Sequence, residues 1–133
     1  MDREIYSKYE IIDAHAHIFP EKIAENATAN TGKFYDLPMK SCGTSAKLIE
    51  SGSEIGISRY LVCSTATKPQ QVASVNSFIA AECEANPSFF GFGTAHPDSD
   101  NIAADIDQIK SLGLHGVKTV SYTHLTLPTM AVV

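Results

Sequence analysis

The chain has 133 residues, is 44% hydrophobic and carries 15 acidic against 10 basic residues, for a net charge of −5. That length suits one domain, and an acidic balance without any run of Lys or Arg gives no footprint for a phosphate backbone, so nucleic acid is not an expected partner. Cys42, Cys63 and Cys83 form no CxxC pair. No window approaches the ~18 apolar residues of a membrane span, and the N-terminus has no apolar export segment, so the expected setting is cytoplasmic, with no membrane partner.

Taken in chain order, residues 11–18 form the first apolar, alternating run and predict a strand. Residues 20–31 are an Ala-rich helix candidate, and residues 44–56 carry Leu48, Ile49 and Ile55 at helical positions despite Gly52. A second strand is predicted at 60–65. Val72, Val75, Ile79 and Cys83 then recur at helical spacing over 69–86 until Asn86-Pro87 stops the helix. A third strand is predicted at 89–95. Asp100 is the expected N-cap of the next helix, Ile102, Ile106 and Ile109 its apolar face, and Gly113 its C′ glycine. Residues 115–120 complete the series as a fourth strand.

This alternation predicts an α/β fold with parallel strands and crossover helices. Strand starts at 60, 89 and 115 are spaced by about one β/α unit, so the chain supplies about four units, half of an eight-unit barrel. A small open doubly wound sheet is the rival architecture.

The chemistry concentrates in Ile12-Asp13-Ala14-His15-Ala16-His17-Ile18. On a regular strand, residues two apart share a face, which would turn Asp13, His15 and His17 one way and Ile12, Ala14, Ala16 and Ile18 the other. Two imidazoles so placed can chelate one divalent cation, with Asp13 orienting a ligand from behind. The plain alternative is a pair of surface histidines on an edge strand, since a lone HxH is a short motif. The alanines favour the metal reading, because small residues mark a face packed closely against helices. Cys63 reads as a packing residue, because nothing adjacent in sequence would activate its thiol.

Asp13-Ala14-His15-Ala16-His17-Ile18-Phe19-Pro20 resembles the opening signature of the amidohydrolase superfamily, in particular the amidohydrolase-related family of metal-dependent hydrolases and decarboxylases. Gly91-Phe92-Gly93-Thr94-Ala95-His96-Pro97-Asp98 and Gly113-Leu114-His115-Gly116-Val117-Lys118 resemble later strand ends of the same family. The resemblance implies the N-terminal half of a TIM-type (β/α)8 barrel over residues 1–118, with His15 and His17 as the first two ligands of a divalent metal ion, zinc being the expected one. It further implies a small-molecule substrate, hydrolysis of C–N or C–O bonds or nonoxidative decarboxylation, and further ligands on later strands. His96, at a strand end, is either an active-site residue or a loop histidine. Lys118 ends the fourth strand, where some superfamily members carry a carbamylated lysine; the family pattern continues with Leu-His-Pro, whereas Thr119-Val120-Ser121 follows here. His115, at the beginning of that strand, belongs to a turn.

Residues 120–129 resemble, residue for residue, a translated transposase-type sequencing adapter, so 119–133 are expected to be a non-native tail, excluded from fold reasoning together with His124. On this reading the isolated chain is expected to be catalytically inactive and to self-associate through open sheet edges. The competing function is a small non-catalytic α/β binding module whose HxH is structural.

Overall fold

The computed structural model describes residues 8–119. The expected tail therefore lies, beyond Thr119, outside the described residues. Strand β1 (Ile11–His17) leads into helices α1 (Glu21–Tyr35) and α2 (Ser45–Ser53), then β2 (Ile57–Cys63). A 3-10 turn (Pro69–Gln71) opens α3 (Val72–Ala85), followed by β3 (Phe89–Gly91), β4 (Gly93–Thr94), α4 (Ile102–Ser111) and β5 (Val117–Lys118). The protein is a mixed α/β chain with four helices around a small parallel sheet, as the alternating pattern predicts.

All strand pairings are parallel, in the orders β1-β2-β3 and β4-β5. The predicted strand at 89–95 is divided because its neighbours change at Phe92. There the Phe92 N–H donates to the Val62 carbonyl at 3.0 Å, and the next amide, Gly93 N–H, donates to Gly116 at 2.9 Å on the other side. The strand series thus runs spatially in chain order, each new strand laid beside the last.

One sheet face is covered by helices. Ala16, Ile18, Tyr60, Val62, Ile79 and Phe89 form the core, with Leu48, Ile49, Phe78, Cys83 and Leu114 packed against it. Burying an aliphatic or aromatic side chain of this size is worth ~1.5–3 kcal/mol, so this layer is the main source of stability. The approach is close at Gly91, where an added Cβ would lie 2.7 Å from Cys83 Sγ and 2.8 Å from Leu114 Cδ2. Only a residue without a Cβ lets α3 and the 114 loop sit so near the strand.

Three local expectations change. Ile12 is 55% exposed and Ala14 is also exposed, so only Ala16 and Ile18 of the predicted apolar face reach the core. The N-cap of α4 is Asn101, whose side chain accepts from Ala104 N–H at 3.0 Å, and not Asp100. Helix α1 runs past Thr31 to Tyr35 and ends at Asp36 in the left-handed region (φ 52°), a conformation that Asp tolerates better than most residues. Gly113, with φ 70°, closes α4 where a C′ glycine is expected.

Candidate metal centre

β1 does not hold its alternation. Its register with β2 steps from Asp13↔Tyr60 to Ala16↔Val62, three residues of β1 against two of β2, which is a bulge at Ala14 and His15. Asp13 therefore lies beside Tyr60, a helix-facing core residue, and not in one row with both histidines as strict alternation predicts. Its carboxylate Oδ1 instead accepts the His15 backbone N–H at 3.0 Å, satisfying an amide at the bulge. Asp13 so fixes the backbone that carries His15, while the imidazole itself is left to other partners.

Two residues apart with buried Ala16 between them, His15 and His17 turn their imidazoles to the same side, as alternation predicts for this pair. Their Nε2 atoms are 3.0 Å apart, with ring centroids 5.0 Å apart and planes inclined by 27°. Neutral rings so placed share one proton as donor and acceptor; with both Nε2 lone pairs free, the same placement converges two nitrogens on one cation at ~2.0–2.1 Å.

The strand register adds a third donor. His17 pairs with Cys63, the last residues of adjacent parallel strands, and the donor atoms of His15, His17 and Cys63 all lie within 4.8 Å of one another. Sequence alone reads Cys63 as a packing residue; it is indeed buried, and burial pushes its thiol above its usual range, opposed by the charge of Lys118. The signal for it is positional: Cys63 ends the second strand as His17 ends the first. Two nitrogens and a sulfur are a donor set suited to zinc or a similar transition ion, so these residues fit a divalent metal.

Lys118 ends β5, paired in register with Thr94 at the end of β4. Its charge reaches the cluster, acting on both His17 and Cys63. His96 follows β4 and is held locally: its Nδ1 accepts from Asp98 N–H at 3.1 Å, and it does not join the three-residue cluster. His115 stacks on Phe90 at 3.9 Å between ring centroids and donates its N–H to Gly91 at 2.9 Å, in the turn before β5. A groove of about 700 Å³ between α1 and the following loop, lined by Glu25, Lys33, Met39 and Cys42 among others, contains none of these histidines.

The His17 ring is brought from its ordinary 6.5 down to about 4, chiefly by partial removal from solvent and then by the charges of His15 and Lys118. At neutral pH it is uncharged and its lone pair is available. The unfolded chain takes up this proton as pH falls through 6.5, the folded chain only near 4, so His17 progressively destabilises the fold between those values. In an NMR titration of the metal-free chain the His17 ring should change protonation near pH 4; a midpoint near the ordinary histidine value would show that the ring is neither desolvated nor crowded by charge.

The chain matches no family model, no curated protein and no solved structure.

Proposed function

We propose that this chain carries the first ligands of the metal centre of an amidohydrolase-related, metal-dependent hydrolase, on the N-terminal strands of a (β/α)8 barrel. The observation that carries this reading is the pair of His15 and His17 Nε2 atoms, 3.0 Å apart at the C-terminal end of the first parallel strand. The C-terminal strand ends are where barrels of this kind gather their active sites. The in-order sequence of parallel neighbours supports the same architecture, because a doubly wound sheet reverses direction at a switch point and none occurs among the described strands.

His15 and His17 would hold the ion, with the His15 backbone fixed by Asp13. The bound ion would supply a Lewis acid that lowers the pKa of a water toward ~7 and polarises a small-molecule substrate. The neutral state of His17 at pH 7 keeps a nitrogen lone pair ready without prior loss of a proton. Specificity in such barrels comes from the loops after the strands, of which this chain shows a few.

The test is zinc titration of the purified chain, with metal content measured after dialysis. One zinc per chain is expected, removed by chelator and lost in the His15→Ala and His17→Ala variants. Zinc binding unaffected by both substitutions would leave a binding module with a structural HxH as the better reading.

The barrel reading also predicts self-association. Phe90 is 43% and Ile12 55% exposed. Ile12 is in register with Arg59 and Phe90 with Leu61, on the sheet face turned away from the helices. β1 and β5 each have one neighbour among the described strands, so each leaves an edge of unpaired N–H and C=O groups. In sedimentation experiments the chain should form dimers or larger species, shifted toward monomer by Phe90→Glu. A monomer that melts cooperatively and is indifferent to Phe90→Glu would contradict an open barrel face.

A further inference from the structure

Resting on the metal-centre reading above, we propose that Cys63 is the third protein ligand of the ion held by His15 and His17, making a centre of two nitrogens and one sulfur that is selective for zinc-like thiophilic cations. The pattern His-x-His on one strand suggests only two donors. The third comes from the neighbouring strand by register, since His17 and Cys63 are paired strand-end residues.

Cys63 is 2% exposed and is one of the buried core residues, though outside the contiguous cluster of Ala16, Ile18, Tyr60, Val62, Ile79 and Phe89. Its Sγ–H makes one weak contact, donating to the Ala16 carbonyl at 3.7 Å. Tetrahedral coordination with Zn–N of ~2.0–2.1 Å and Zn–S of ~2.3 Å sets donor atoms roughly 3.3–3.6 Å apart. The three donor atoms lie within 4.8 Å of one another, so small side-chain rotations bring them to those separations without moving a strand.

Binding would exchange the thiol proton for the metal: the Sγ–H bond breaks, the proton leaves to solvent, and the thiolate electron pair forms the bond to the ion. Three protein ligands leave one position of a tetrahedral ion open for water, substrate or a ligand from a later strand. A thiolate also sets the choice of ion, since sulfur favours zinc and cobalt over magnesium, calcium or manganese.

The experiment uses the full chain. Titrated with Co2+ in the absence of thiol reductants, it should develop a near-ultraviolet sulfur-to-cobalt charge-transfer band that is lost in Cys63→Ser and Cys63→Ala and kept in Cys42→Ser and Cys83→Ser. Zinc affinity should fall roughly tenfold or more in the two Cys63 variants, and zinc should remain bound in a large excess of Mg2+. X-ray absorption of the zinc-loaded unmutated chain, which needs no variant to fold, should show one sulfur at ~2.3 Å beside nitrogen at ~2.0–2.1 Å. A coordination shell without sulfur, a band indifferent to Cys63, or no metal bound at all would overturn the proposal. Zinc held by His15 and His17 without sulfur would overturn this inference alone; zinc held through sulfur but indifferent to both histidines would overturn the centre and the function built on it.

Discussion

Replacing Asn76 with leucine should lower the stability of the chain by about 3 kcal/mol or more, the largest effect expected of any single near-isosteric change in α3. Asn76 is completely buried, yet it lies on the helix face that meets the sheet. It acts there as a surrogate strand. Its Oδ1 accepts the Thr94 N–H at 2.6 Å and its Nδ2 donates to the Thr94 carbonyl at 3.1 Å, with a further contact to Gln108 Oε1 at 3.4 Å. Thr94 is itself fully buried, so leucine would leave two backbone groups without partner or water, at ~1–3 kcal/mol each. Leucine fills the space, which separates the polar cost from any cavity. Denaturant unfolding measures it, with Asn101→Ala as a reference: loss of that exposed N-cap bond should cost only about 1 kcal/mol. A leucine variant within about 0.5 kcal/mol of the unmutated chain would mean that Asn76 does not anchor β4.

That anchor shows which layer of the structure a sequence reveals. The four apolar runs and the helical spacing of Val72, Ile79 and Cys83 depend on local periodicity, and the elements they predict are present. The two-residue alternation through Asp13, His15 and His17 is equally regular in sequence, but the pairing of β1 with β2 breaks it at Ala14 and His15. Nothing in residues 11–18 records that break, because it follows from matching β1 to a neighbour some 45 residues away. The division at Phe92 has the same origin, since the residue looks like mid-strand and differs only in the strands on either side of it. Asn76 could have been noticed as a polar residue within an apolar helix; its partner at Thr94 could not. Of the candidate centre, His15 and His17 are adjacent enough to be read directly. Cys63 and Lys118 arrive by parallel register, the first beside His17, and the second at the end of the strand laid beside β4.

Reversing the charge of Lys118 should tighten zinc binding by roughly thirtyfold to a hundredfold in Lys118→Glu, with Lys118→Met falling between. The ammonium of Lys118 acts on both His17 and Cys63, lowering the affinity of the imidazole for a proton and favouring the thiolate. The same field opposes a divalent cation placed between those donors. A unit charge that acts on both donors, partly screened, contributes on the order of 1 kcal/mol, and lysine to glutamate changes the local charge by two units. The half-buried position of Lys118 keeps screening from erasing the effect, and raising ionic strength should shrink it. The opposite sign has an equally definite meaning. A Lys118 that captured carbon dioxide as a carbamate would present an anionic oxygen ligand, so Lys118→Met would weaken binding and added bicarbonate would strengthen it in the unmutated chain alone. Isothermal titration with zinc, with and without bicarbonate, separates the two. Tighter binding in Lys118→Met identifies a cation that restrains the centre, and weaker, bicarbonate-dependent binding identifies a ligand and refutes the electrostatic account.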